Sequence, residues 1–179
     1  MSKAVMLSIR PKWVEKIASG EKTIEVRKTK PNLPTPFKCY IYCTQGNDAR
    51  RLRGSWGKVI GEFVCDCVTP LYNVCMDNWE RLAGGLHNIE KELVNQACLT
   101  EAKLHTYAGG KNCFAWHISD LRIYEQPRKL EEFRRLCPND LYCESCAMYS
   151  NNGGICNNGA LPLRRPPQSW CYVEAMKDD

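Results

Sequence analysis

The stretch L-S-I-R-P-K-W-V-E-K-I-A-S-G-E-K-T-I-E-V-R-K, residues 7–28, changes its hydrophobic period twice. Together with the residues before it, K-A-V-M-L-S-I-R predicts a β-strand that ends at Pro11, whose ring has no N–H to give a ladder. W-V-E-K-I-A-S-G predicts a short helix: Pro11 falls near its first position, Trp13 and Ile17 stand at i,i+4 spacing, and Gly20 is the stop signal. From Thr23 the period becomes two. If Ile24 and Val26 face the core, Thr23, Glu25 and Arg27 share the other face of a strand. Charges along a strand either solvate that face or hold a ligand.

The surrounding composition bears on that choice. The chain has 179 residues, 44% of them hydrophobic, enough for one full core and a small appendage. No apolar run approaches the ~18 residues that would span a bilayer, and M-S-K-A-V-M-L-S-I-R is too short and too polar for a signal peptide, so a soluble cytoplasmic protein is expected. Residues 1–58 hold 13 Lys and Arg against 4 Asp and Glu, a net of +9; residues 59–179 hold 12 against 16, a net of −4; the sum is the chain's +5. The basic clusters P-K-W, G-E-K-T, R-K-T-K and A-R-R-L-R all lie in the first third, interleaved with Trp13, Tyr40, Tyr42 and Trp56. Such polarity points to a polyanion, and aromatic stacking combined with cationic contacts is how single strands are held.

Each charged candidate has a chemical role. Lys12 and Lys22 are compact cations suited to phosphate, Arg27 offers a planar fork for phosphate or a base edge, and Trp13 can stack a base. Glu25 can orient Arg27 or accept from an exocyclic amine. The competing reading of Glu25 with Arg27 is a same-face salt bridge, worth little if exposed, and that of Trp13 is a core residue beside Ile17. Lys22, at the mouth of a basic strand with no evident core role, is the first candidate.

Further along, P-N-L-P-T-P reads as a stiff loop, F-K-C-Y-I-Y-C as a strand and G-N-D-A-R-R-L-R-G-S-W-G as a connector. K-V-I-G-E-F-V-C-D-C-V reads as one long strand with a bulge at Gly61. Residues 88–105 read as one or two helices, with Thr100 as an N-cap, and F-A-W-H-I-S-D-L-R-I-Y as a strand followed by a connector at Gln126 and Pro127. His117 reads as a satisfied structural histidine. The main body is therefore α+β.

Of the twelve cysteines, Cys39, Cys43, Cys65 and Cys67 fall in core-like strand patterns and read as small buried hydrophobes. From Cys137 the composition changes. Cys137, Cys143, Cys146 and Cys156 are spaced C-x5-C-x2-C-x9-C, which fits a closed structural zinc site of four thiolates. A four-iron cluster uses the same ligands, and four independent thiols or a redox pair would fit the same spacing. The expected division is a main domain at 1–126 and a Cys-rich extension at 127–179, with 170–175 returning to the main body as a strand.

Residues 7–28 resemble the N-terminal signature of the ASCH domain, a PUA-like superfamily, through Pro11, Lys12, Trp13, Gly20, Lys22, Glu25 and Arg27. Y-I-Y, V-I-G-E-F and A-W-H-I-S extend the likeness over about residues 4–125, and R-R-P-P-Q-S-W-C-Y-V-E resembles the ending of small prophage-type ASCH proteins. The resemblance implies a small β-barrel with a cleft beside its helix, serving RNA or modified-nucleoside recognition. Some small members are amidohydrolases acting on an acetylated cytidine nucleoside through a Lys, a Thr and a Glu. Lys22 matches that Lys, and Glu25 stands where the Thr would be. RNA or nucleotide-derivative binding is thus the expected function. Two further possibilities are a hydrolase using the same cleft, with Lys22 and Glu25 as catalytic groups (a nucleoside amidohydrolase or a ribonuclease), and a zinc-stabilised protein-interaction module. A nucleic-acid site would extend to Arg50, Arg51 and Arg53; a nucleoside enzyme needs only the cleft around Lys22.

Overall fold

The computed structural model describes residues 2–46, 54–71, 88–137, 158 and 161–176. Strand β1 (Lys3–Ile9) runs into helix α1 (Pro11–Ala18), which starts with Pro11 in its first turn, and Gly20 takes φ +76° just beyond the helix end. Val14 and Ile17 form the helix's buried stripe. Next come β2 (Ile24–Arg27), β3 (Phe37–Cys43), β4 (Lys58–Cys65) and β5 (Val68–Leu71). Helices α2 (Asn88–Gln96) and α3 (Glu101–Ala108) follow, then β6 (Cys113–His117), β7 (Ser119–Lys129), a 3-10 turn at Leu130–Glu132 and β8 (Trp170–Glu174).

Among the described residues the strands form two sheets, a five-stranded one ordered β7-β4-β3-β1-β8 and a three-stranded one ordered β2-β6-β5. Only β1 and β3 pair in parallel; the other pairs are antiparallel. The expected small barrel is thus resolved into two sheets that share chain. Two segments expected to be single strands, 58–68 and 114–124, each break and cross over between the sheets, the first at Asp66 and Cys67 and the second at Ile118. The two corners meet, because His117 Nδ1 lies 2.6 Å from Asp66 Oδ1. That hydrogen bond is the main reason the Asp66 carboxyl is held below its usual range. The expected connector at Gln126 and Pro127 is strand instead. β7 is a sheet edge with register shifts, where a missing proline N–H is tolerated.

Alternation places side chains in three cores. Val5, Leu7, Ile9, Cys39, Ile41 and Phe63 face the space between the sheets, where Trp116 enters from β6 and meets the edge of Phe37 at 5.6 Å. Met6, Tyr40, Tyr42 and Val59 face the other way, under Leu130, Phe133 and Leu163. Ile24, Val26, Cys113 and Ala115 pack under α2 and α3. Thr100 caps α3 as expected, its hydroxyl accepting from Lys103 N at 3.3 Å. Cys39, Cys43 and Cys65 are buried thiols outside any disulfide; burial pushes Cys39 up and Cys65 to about 12, so Cys39 and Cys65 stay protonated and inert. Cys67 departs from that pattern and is exposed, because it lies at the corner where the chain leaves one sheet for the other.

Gly61 does mark a bulge. Tyr42 pairs with Val59 but Ile41 with Gly61, which leaves Ile60 as the extra residue. A Cβ on Gly61 would stand 2.4 Å from the Arg122 backbone oxygen. Backbone cannot swing aside as a side-chain tip can, so Gly61→Ala is expected to destabilise by about 1–3 kcal/mol, the usual cost of overpacking. Urea unfolding measures it, and an unchanged midpoint would contradict this packing.

Candidate functional site

On β2, Ile24 and Val26 point towards the helices, so Glu25 and Arg27 point towards the five-stranded sheet. Both faces of the strand are covered: Lys22 is 3% exposed and Glu25 and Arg27 are each 7% exposed. This corrects the expectation that Lys22 stands at the mouth of the strand without a core role. Its ammonium donates to Ile24 O at 2.7 Å and to Ala97 O at 2.8 Å, and lies 3.3 Å from Glu25 Oε2. Those three acceptors match the three hydrogens an ammonium carries. The end of α2 docks on this edge of β2, with Thr23 N donating to Gln96 O at 3.1 Å.

Arg27 joins the sheets. Its Nη2 donates to Ser8 O on β1 at 2.9 Å, and its Nη1 donates to Ser169 O and Oγ at 3.2 and 3.3 Å, just ahead of β8. Its Nε lies 3.0 Å from Glu25 Oε1 without the alignment of a hydrogen bond, so charge attraction holds that contact. Glu25 is therefore shared by two cations. Among the described residues it is the one carboxylate paired with either, and the buried group carries a net charge of +1.

Trp13, half-buried on α1, forms a wall beside this floor. The Lys12 ammonium lies 4.8 Å from the ring centroid and that of Lys22 5.3 Å. Lys12 itself is exposed. Ser8, Ser169 and Tyr107 belong to the site although sequence reasoning did not single them out. Tyr107 is 40% exposed on α3; burial pushes its phenol up, opposed by the field of Arg27. Ser8 Oγ donates to Pro167 O, and Trp170 Nε1 to Thr29 Oγ1, which fastens P-P-Q-S-W to β1 and to the loop that follows β2. Strand alternation marks Ser8 as a polar residue within an apolar strand, a signal that was available.

Of the candidate residues, Lys12, Trp13, Lys22, Glu25 and Arg27 converge here. Arg50, Arg51, Arg53, Cys143, Cys146 and Cys156 lie outside the described residues. Cys137 is half-buried and free, and no group of three or more metal-ligating side chains occurs among the described residues. Likewise no described helix is long and apolar enough to cross a membrane.

A family model described as the ASCH domain matches residues 7–128, from within β1 to the penultimate residue of β7, and so covers Lys12, Trp13, Lys22, Glu25 and Arg27. The chain belongs to the ASCH domain family. Among solved structures, ASCH from Zymomonas mobilis has a TM-score of 0.51 at 21% identity, covering 96% of this chain and 87% of that one. A tyrosine-to-phenylalanine variant of the Zymomonas protein gives a TM-score of 0.49 at 20% identity, covering 97% and 91%. At such identity the likeness speaks for the ASCH fold alone. Comparison with curated proteins finds no significant match.

Proposed function

We propose that this ASCH domain binds RNA or a nucleotide derivative in a cleft beside α1, over the Lys22, Glu25 and Arg27 group. The observation that carries the reading is the buried floor in which Lys22 and Arg27 share one carboxylate, beside a half-buried tryptophan. A net positive charge in a poorly solvated place is costly without an anion. A phosphate meets that need, and a base can lie against Trp13 while the exposed Lys12 takes a neighbouring phosphate.

The occupied ammonium of Lys22 favours binding over hydrolysis through Lys22, because a nucleophilic lysine would first have to release two carbonyls and a carboxylate. Titration of the tryptophan fluorescence with single-stranded RNA and with modified nucleosides, followed by product analysis, tests both readings. RNA affinity is expected to fall steeply with salt, with a log–log slope of roughly −0.7 per phosphate contact. Lys12→Ala should weaken binding while changing stability by no more than about 0.5 kcal/mol, as exposed positions do. Salt-independent affinity, or no binding at low salt, counts against the proposal; turnover of a nucleoside replaces it with the hydrolase.

The reading includes a structural zinc ion on Cys137, Cys143, Cys146 and Cys156, supported by their C-x5-C-x2-C-x9-C spacing and the metal-stabilised folding common to such short segments. Protein purified without added metal is expected to hold about one zinc per chain, with Zn–S distances of about 2.3 Å by X-ray absorption. A folded, metal-free extension in native mass spectrometry would exclude the site, and a brown iron-containing protein would favour the cluster.

A further inference from the structure

We propose that single-stranded RNA, seated at Trp13, leaves the cleft over the end of β2 along two further lysine–aromatic pairs, Lys28 with Tyr107 and Lys30 with Phe114. This deepens the RNA reading and rests on it. The Lys28 ammonium lies 5.3 Å from the Tyr107 ring centroid and that of Lys30 lies 5.8 Å from the Phe114 centroid. Both lysines are exposed, Phe114 is half-buried, and Tyr107 is one of two large hydrophobic side chains left exposed among the described residues.

The pairs continue the cleft floor. Lys28 follows Arg27 directly, Arg27 sits opposite Phe114 in the β2–β6 register, and the Tyr107 phenol feels the charges of both Arg27 and Glu25. Both segments that build the track lack acidic residues: no Asp or Glu occurs in 26–47 or in 102–119. Neither segment therefore sets a carboxylate of its own against a polyanion that follows this surface. One bland role is open to Lys28, whose ammonium lies 4.0 Å from where a Cβ on Gly109 would stand, at the C-terminal end of α3, where a cation is favoured. That role does not extend to Lys30, which stands over a ring of the neighbouring strand. An acidic peptide would satisfy the lysines equally well, and it is the ring faces that favour bases.

The test compares uridine monophosphate with an oligouridylate nonamer on the full chain, using wild type, the double variant K28Q/K30Q, and R122Q/K129Q, which removes two exposed charges from β7. For K28Q/K30Q, mononucleotide affinity is expected to stay unchanged. Nonamer affinity should drop about tenfold or more at low salt, and the salt slope should flatten by roughly 1.4, two contacts at about 0.7 each. R122Q/K129Q should change neither. An unaffected nonamer in K28Q/K30Q, an equal loss in R122Q/K129Q, or a wild type that holds the nonamer no better than the mononucleotide overturns the track and leaves the cleft standing. Loss of binding to a poly-glutamate peptide in K28Q/K30Q, with the nonamer unaffected, reassigns the surface to an acidic protein. If wild type binds neither nucleotide, the cleft reading itself falls and the track with it.

Discussion

Lys22→Ala is expected to destabilise the protein by about 3–5 kcal/mol, the usual result of removing one partner from a buried charge pair. For a chain of this size that corresponds to a melting temperature lower by roughly 6–20 °C, at about 2–4 °C per kcal/mol. The cause is local and countable. The substitution leaves Ala97 O at the end of α2 without its donor and takes one of two cations from Glu25, while opening a cavity beside Trp13. Thermal unfolding followed by circular dichroism reads the loss. A melting temperature within a degree or two of wild type would mean that the ammonium is in water after all.

Glu25→Gln is expected to cost a similar amount, about 3–5 kcal/mol, because it leaves Lys22 and Arg27 buried with no carboxylate between them. Here the ligand should reveal itself. If a phosphate enters the cleft, it supplies the missing negative charge, and saturating RNA should raise the melting temperature of the variant more than that of wild type. At a concentration about 100-fold above its Kd a ligand contributes about 2.7 kcal/mol, so the recovery would be visible in a thermal shift. Equal shifts in the two proteins would place the phosphate away from Glu25.

These expectations differ from what residues 7–28 suggest by themselves, and the difference is instructive. Strand, helix and charged strand were legible there because alternation, a proline at the first helical position and a glycine stop are local signals. So were the Thr100 cap and the Gly61 bulge, each a demand made by backbone on one residue. The burial of Lys22 was not legible, since its acceptor Ala97 lies 75 residues away and no neighbour in sequence announces it. The two strand breaks were hidden as well. G-E-F-V-C-D-C-V and F-A-W-H-I-S keep an apolar pattern through Cys67 and Ile118, and only the need to serve two sheets interrupts them. Pro127 misled for the opposite reason: a breaker by rule, it sits in an edge strand that can carry it.

Arg27 draws two of its acceptors from Ser169, 142 residues downstream, and the neighbouring edge of β1 is closed only by β8. At a synthesis rate of ~5–20 residues per second, roughly 7–28 s separate the appearance of the guanidinium from that of its partner. For that interval the growing polypeptide on the ribosome holds an incomplete cleft and an open strand edge, the feature through which nascent sheets aggregate. Slow decoding of the codons between Arg27 and Ser169 would therefore lengthen that exposure and lower the yield of folded protein.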